Sequence, residues 1–295
     1  MTGADRGFLL LTGHLGDPER NPLTVAQFRE LTRLARRMEL PLADRELREE
    51  DLISLGCGRE FSRRVLRLLS QEDQLDWYLE RGQRQDCFPI TRVNPLYPQR
   101  VRQRLDTEAP GSLWAKGDLS VLQQPMIALV GSRDLTGENL AFAREVGRHA
   151  ALQGYALVSG NARGADKAAQ ESCLEQGGSV ICVVADELET KPVQEKLLYL
   201  SEEGFDLPFS AQRALSRNRI IHTLAPKVFV AQCTLGHGGT WDGTTRNLRS
   251  LWSQVYCFAD GSAACTELVQ LGATAVTTEE LRDISALKTD LIDLF

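Results

Sequence analysis

The feature that most constrains the fold is a series of short, continuous apolar runs in the C-terminal two-thirds of the chain. They occupy residues 126–130, 155–159, 180–184, 228–231 and 255–258, and helix-length segments separate them. Strands that alternate with helices form parallel sheets, and a strand without polar alternation is covered on both faces. We therefore predict an α/β, Rossmann-like, doubly wound and mostly parallel sheet over residues 112–282.

The N-terminal part of the chain has a different pattern. Apolar residues recur there at three- and four-residue spacing, as in Phe61, Val65 and Leu68, which predicts amphipathic helices. Residues 1–90 should form a small helical domain, the proline-rich residues 91–111 a linker, and residues 283–295 a short tail. The helical part carries arginines that form either a nucleic-acid face or a solvated helix face: Arg33, Arg36, Arg37, Arg63, Arg64 and Arg67.

Composition narrows the class of protein. The chain of 295 residues has a net charge of -6, which argues against a broad basic surface but allows a local basic pocket. Its seven cysteines form no C-x-x-C pair and its four histidines are far apart, so we expect buried, reduced thiols and neither a metal nor a cofactor. The apolar run at residues 8–11 is too short for a membrane span or a signal peptide, which predicts a cytoplasmic protein without membrane contact.

Turns rich in glycine and polar residues follow three of the predicted strands, at the edge where a doubly wound sheet binds ligands. They are 131–133 (GSR), 159–164 (SGNARG, with Asp166 beyond it) and 236–240 (GHGGT). Glycine lets the backbone approach an anion, and amides at a helix start donate to it. We interpret the turns as an anion-binding pocket, with ordinary loop geometry as the alternative.

Two common nucleotide motifs are absent, namely the dinucleotide fingerprint G-x-G-x-x-G and the phosphate loop G-x-x-x-x-G-K-[ST]. A further basic element is Arg217-Asn218-Arg219. We predict that these three residues begin a helix beside the glycine turns and point at phosphates; the alternative is a helix with a charged exterior.

The order GSR, SG-x-A-x-G-x-D, RNRII and then a glycine-rich turn resembles the DprA/Smf family of DNA-processing proteins, over about residues 94–280. The resemblance implies a Rossmann-like core that binds single-stranded DNA in a basic pocket, forms a homodimer and helps to load a RecA-type recombinase in natural transformation, with no catalytic step. We therefore assign the following residues to a DNA- and phosphate-binding pocket: Gly131, Ser132, Arg133, Ser159, Gly160, Arg163, Gly164, Asp166, Arg217, Asn218, Arg219, Gly238, Gly239 and Thr240.

The chain also departs from that pattern. Gln170 stands where the family usually has histidine, the third turn is altered, and we expect the C-terminal winged-helix domain of many members to be missing. The altered turn looks like that of the LOG proteins, which hydrolyse cytokinin nucleotides. The alternative function is thus a nucleotide sensor or N-glycosidic hydrolase, with Asp166 or Asp242 as its carboxylate. The alternative role of Asp166 is to brace its own helix turn, and Trp241 would either face a ligand or pack in the core.

Overall fold

The centre of the protein is a nine-stranded sheet, seen in a computed structural model that describes residues 1–35, 46–135 and 137–288. The strands are β1 (Phe88–Thr91), β2 (Ser112–Gly117), β3 (Met126–Val130), β4 (Ala156–Ser159), β5 (Ser179–Val184), β6 (Leu197–Glu202), β7 (Lys227–Val230), β8 (Gln254–Phe258) and β9 (Thr274–Val276). Strands β3 to β9 are parallel, whereas β2 is antiparallel to both β1 and β6. The predicted α/β, mostly parallel fold class is confirmed.

The strand order across the sheet is β1-β2-β6-β5-β4-β3-β7-β8-β9. From β3 the chain winds outward through β4, β5 and β6, and then returns to the other side of β3 as β7. The winding direction therefore reverses between β3 and β7. A crevice opens at such a reversal, beyond the carboxyl ends of the strands, and this is where doubly wound sheets hold ligands.

The helices cover both faces of the sheet. They are α1 (Gly3–Thr12), α2 (Val25–Ala35), α3 (Glu49–Ser54), α4 (Arg59–Leu69), α5 (Glu72–Arg84), α6 (Gln99–Leu105), α7 (Gly137–Leu152), α8 (Ala165–Glu175), α9 (Ala211–Leu224), α10 (Gly239–Ser250) and α11 (Ala263–Gln270). Ile127 and Leu129 of β3 belong to the apolar core of α7 and α8, while Ala128 and Val130 belong to that of α9. This two-sided burial explains why the strands read as continuous apolar runs.

The N-terminal helices pack against the antiparallel side of the sheet. The ring of Tyr78, on α5, lies 4.6 Å from that of Phe205 and 5.2 Å from that of Trp114, measured between centroids. The Tyr78 hydroxyl donates to Asp206 at 2.7 Å, and Arg81 forms an ion pair with the same carboxylate at 2.8 Å. The predicted helical N-terminal region is therefore present and is anchored by aromatic stacking and one shared carboxylate.

Four strands lie outside the five apolar runs; β9 falls on residues 273–276, which are strand-like in sequence, and the other three lie where the sequence analysis expected none. β1 and β2 extend the sheet before residue 126, and β6 adds a strand between β5 and α9. The stretch 91–111, predicted as a linker, contains α6, and the predicted domain limits stay a prediction. Arg36, Arg37 and residues 289–295 of the predicted tail lie outside the described residues. Among the residues that are described, every helix is too short or too polar to cross a bilayer.

Candidate functional site

A cavity of about 500 Å³ opens at the carboxyl ends of β3 and β7, where the winding direction reverses. One wall is α9, and the loops that follow β3, β4 and β7 form the others. Nine of the predicted site residues line it: Gly131, Ser132, Arg133, Asp166, Arg217, Asn218, Gly238, Gly239 and Thr240. The structure thus brings residues from four segments of the chain to one cavity.

Arg217 is the buried cation of this cavity. It is only 9% exposed, and its side chain forms no hydrogen bond or ion pair with any residue that the structure describes. Burial lowers the pKa of Arg217, and the nearby Asp166 carboxylate opposes that shift. A buried guanidinium is costly unless an anion compensates it. Its donors therefore need a partner, and the space beside them is open.

Gly160 determines where the Arg217 guanidinium lies. A β-carbon at residue 160 would come within 1.6 Å of Nη1 of Arg217, so only glycine allows the guanidinium to lie against this backbone. A β-carbon at Gly164, whose φ is +81°, would meet the carbonyl oxygen of Arg133 at 2.4 Å. Gly160 thus lets α9 approach the second turn closely, and Gly164 lets the first turn approach it.

Asp166 braces the second turn from within. Its Oδ2 accepts hydrogen bonds from the amides of Gly160 at 3.1 Å and Ala162 at 3.2 Å. Burial raises the pKa of Asp166, while the Arg217 charge and these two amides act in the opposite direction. The Gly160 amide therefore donates to an aspartate of its own turn, which corrects our expectation that this amide is free for a ligand.

The start of α10 presents free donors to the cavity. Gly238, with a φ of +93°, precedes the helix and provides no side-chain cap, and the first intrahelical acceptor is its carbonyl, which binds the amide of Asp242 at 2.9 Å. The amides of the first turn consequently have no partner within the helix, and the helix dipole adds a positive potential. Asn218 fixes this end of α10 by donating from Nδ2 to the Gly239 carbonyl at 3.0 Å.

Five predicted site residues do not line the cavity: Ser159, Gly160, Arg163, Gly164 and Arg219. Ser159 is fully buried and its hydroxyl is bound by the Gln170 amide. Arg163 is on the surface, with a side chain that is 74% exposed and an ion pair to Asp134 at 3.4 Å.

The position of Arg219 is a second correction, and its cause is the start of α9. That helix begins at Ala211 behind an N-cap serine, Ser210, so Arg217 and Arg219 lie in its middle and point in different directions. Arg219 forms a buried ion pair with Glu202 of β6. Glu202 therefore neutralises the charge of Arg219 within the protein, away from the cavity.

Sequence reasoning did not assign several residues of the cavity wall. Phe209, just before α9, and Leu215, within α9, line it and are 57% and 52% exposed. His222 lies deeper, where burial and the Arg217 charge lower its pKa to about 3, and its Nδ1 is 3.0 Å from the Asn247 amide nitrogen. A Pro-Phe-Ser run before a helix was the available signal for Phe209.

The two tryptophans and the alternative carboxylate lie elsewhere. Trp241 packs in part against the core beneath α9 and α10, and Trp252 is buried there. Asp242 is exposed in the first turn of α10 and does not line the cavity. Within the described residues, no group of three or more potential metal ligands is close enough to hold an ion.

Comparison with known proteins identifies the family. Residues 89–286 match the family model described as DNA recombination-mediator protein A. The chain belongs to this family. Its similarity to curated members includes the DNA processing protein DprA of Streptococcus pneumoniae, 31% identical over 216 residues, which are 65% of this chain and 72% of that protein. Protein Smf of Escherichia coli is 30% identical over 160 residues, or 50% of this chain and 42% of that protein.

Two solved structures of family members have the same fold. The DprA of Streptococcus pneumoniae superposes with a TM-score of 0.69 and 23% identity, covering 95% of this chain and 96% of that one. The DprA of Helicobacter pylori, whose structure concerns its single-stranded DNA binding mode, has a TM-score of 0.56 and 21% identity, covering 66% of this chain and 94% of that one.

The DprA/Smf family predicted from the motifs is therefore confirmed. The matched segment contains the cavity with all of its walls, together with α6 to α11. Helices α1 to α5 precede it, so the family model carries no information about them. Any role of those helices has to be argued from their own residues.

Proposed function

We propose that this protein binds single-stranded DNA without catalysis, through phosphate contacts in the cavity beside β3 and β7. The observation that carries the proposal is Arg217, a buried guanidinium with no partner among the described residues and an open cavity in front of it. Family membership supports the choice of ligand, since the Helicobacter pylori DprA binds single-stranded DNA.

A phosphate in the cavity would be held from three sides. Arg217 donates from the floor, the first-turn amides of α10 donate from one wall, and Arg133 adds a charge at the exposed mouth. None of these groups reads the edge of a base, so binding should depend weakly on sequence. Because the contacts release counterions, affinity should fall steeply with salt.

The apolar side chains at the mouth suit a base attached to that phosphate. Phe209 and Leu215 are more than half exposed next to the phosphate donors. Bases of a single strand stack on an aromatic ring such as that of Phe209 with little preference among them, at about 1–3 kcal/mol for each stack, and Leu215 adds an apolar contact. Exposed aromatic and aliphatic surface beside fixed phosphate donors fits a nucleic acid better than it fits an inorganic anion.

A nucleotide sensor or N-glycosidic hydrolase is the alternative for the same cavity. Asp166 is the carboxylate in its wall, and a raised pKa is a property of many catalytic acids. However, its Oδ2 is engaged by two backbone amides, and Asp242 lies outside the wall. These contacts favour a bracing role for Asp166, and we therefore place DNA binding first.

Fluorescence anisotropy of labelled oligo(dT) over a salt series tests the proposal. Arg217→Ala should weaken binding about 100-fold at low salt, because a charge-assisted contact from a buried site is lost. The matched control is Arg249→Ala, which removes an exposed arginine from α10 that lies outside the cavity wall and should leave binding unchanged.

A panel of mononucleotides in a thermal-shift assay separates the alternative. If oligo(dT) does not bind at low salt, or if Arg217→Ala binds it like the unaltered protein, the proposal is wrong. A large shift with one mononucleotide, together with release of free base, would favour the hydrolase.

The resemblance adds two further parts to the proposal, namely that the protein forms a homodimer and cooperates with a RecA-type recombinase, and the sequence composition adds that it acts in the cytoplasm. Light scattering after size-exclusion chromatography would measure whether the protein is a homodimer. Strand-exchange rates of a RecA-type recombinase with and without the protein would measure whether the two cooperate.

A further inference from the structure

A second cavity, of about 720 Å³, lies on the N-terminal helical region between α4 and residues 17–21. Five arginines line it: Arg20, Arg59, Arg63, Arg64 and Arg67. We call it the arginine groove. It lies before the segment that matches the family model, so neither that match nor the first cavity accounts for it.

Three of these arginines form a row along α4. Arg59, Arg63 and Arg67 are four residues apart, so their side chains lie one above another, about 6 Å apart along the helix axis. The Glu49 carboxylate forms ion pairs with two of them, with Arg59 at 3.6 Å and with Arg63 at 3.1 Å. The side chain of Arg67 has no partner among the described residues, and the row therefore keeps an excess of positive charge.

The floor of the groove adds a buried charge. Arg20 is 6% exposed and donates to the carbonyls of Gly13 and Leu10 and, at 2.9 Å, to the Gln71 side chain. Burial lowers the pKa of Arg20 to about 10, so it is charged at neutral pH, and it forms no ion pair within the described part of the chain. Carbonyls at the end of α1 hold this guanidinium but do not neutralise it.

Carboxylates in the groove are fewer than guanidiniums. Asp17, Glu19 and Glu60 line it together with the five arginines, and Glu49, which pairs with two of them, brings the carboxylates to four, in a chain whose net charge is -6. A row of evenly spaced cations matches a ligand with regularly spaced anions. A strand of nucleic acid has one phosphate per nucleotide, whereas an acidic peptide has no fixed spacing of its charges.

We propose that the arginine groove binds phosphates of the same single strand whose other end occupies the cavity at Arg217, and this inference rests on the proposed function. Arg20 also lines a cavity of about 620 Å³ that reaches Glu202 and Glu203. These two glutamates line a void of only about 10 Å³ beside Arg217, so the strand would pass over the outside of this void. Glu202 is already paired with Arg219, and burial raises the pKa of Glu203.

Oligonucleotide length separates the two sites. We expect an oligo(dT) of about 6 nucleotides to occupy the first cavity alone, and one of about 30 to occupy both sites. For the triple variant Arg59→Ala/Arg63→Ala/Arg67→Ala, the affinity for the long strand should fall about tenfold and its salt slope by about 2, with the short strand unaffected. The measurement is anisotropy over a salt series with the full chain.

Two further variants serve as controls. Arg29→Ala/Arg33→Ala/Arg84→Ala removes the same charge from exposed, singly ion-paired arginines of the same region outside the groove, and should leave both affinities unchanged. The corresponding triple lysine variant of the groove keeps the charge and should bind the long strand nearly as the unaltered protein does.

The possible failures can be distinguished. If the triple alanine variant binds the long strand normally while Arg217→Ala does not, the groove inference is wrong and the proposed function stands. If neither strand binds to the unaltered protein, both are wrong. If the triple variant loses binding to poly-glutamate but not to oligo(dT), the groove is a docking surface for an acidic protein, which also overturns the inference.

Discussion

The two sides of α9 carry the same side chain in opposite situations. Arg217 and Arg219 are two residues apart and both largely buried. Arg219 has its carboxylate within the protein, since it pairs with Glu202, whereas Arg217 has no such partner among the described residues. A neutralised guanidinium gains little from a phosphate, while an unpaired one gains its missing anion. The comparison therefore separates a cation that stabilises the fold from one available to a ligand.

Removal of Arg219 should have the largest effect, and it should be on stability. In Arg219→Leu the Glu202 carboxylate stays buried without its partner, which should lower the free energy of unfolding by about 3 kcal/mol. Urea denaturation measures this change. Oligo(dT) affinity, measured well below the unfolding midpoint, should stay within about twofold.

The double variant Glu202→Gln/Arg219→Leu provides the control, because it removes the stranded charge and should recover part of the loss. Arg217→Ala in the same urea experiment should lower the free energy of unfolding by less than Arg219→Leu does: the buried Asp166 carboxylate loses the nearby Arg217 charge, but the amides of Gly160 and Ala162 still donate to it. A stable Arg219→Leu protein that no longer binds oligo(dT) would contradict the distinction between the two sides.

His222 lies one turn beyond Arg217 and predicts an acid-sensitive fold. Its pKa is about 3 in the folded protein, against an ordinary value of 6.5. Below the ordinary value the unfolded chain binds a proton that the folded chain does not, so stability falls as the pH falls through this interval. From about pH 6.5 to about pH 4.5, His222 should account for a loss of about 2 kcal/mol.

Urea unfolding at several pH values, compared with His222→Asn, isolates this contribution. Asparagine keeps an acceptor for the Asn247 amide but does not titrate, so the variant should be less stable at neutral pH and less sensitive to acid. Equal pH dependence in the two proteins would show that His222 is not the group responsible.

The sequence predicted those parts of the fold that depend on local pattern. The five apolar runs correspond to β3, β4, β5, β7 and β8, because a strand that is buried on both faces has consecutive apolar residues in its sequence. β1 was missed because Pro89 and its short length are typical of an edge strand, whose pattern is weak. β2 also lies on the antiparallel side, where the alternation of strands with helices no longer applies.

The candidate site shows the same limit at the level of side chains. The glycine turns were placed correctly at the carboxyl edge, since the topology of a doubly wound sheet determines that edge. The direction of Arg219 depends instead on where α9 begins and on Glu202, which is distant in sequence. The exposure of the Phe209 side chain likewise depends on which residues pack around it in the fold, and a local sequence pattern does not predict this.

Gly160→Ala makes the sharpest test of the geometry with the smallest change. The backbone at residue 160 is not in the left-handed region, so alanine is allowed there, and the three atoms nearest to its β-carbon all belong to the guanidinium of Arg217. We expect the protein to fold, to keep its charge and to lose oligo(dT) affinity by about tenfold, because the guanidinium is displaced and not removed. In the Arg217→Ala background the same substitution should have no further effect on binding. An additive loss in the double variant would show that Gly160 contacts the strand itself, and that the position of Arg217 is not what the glycine secures.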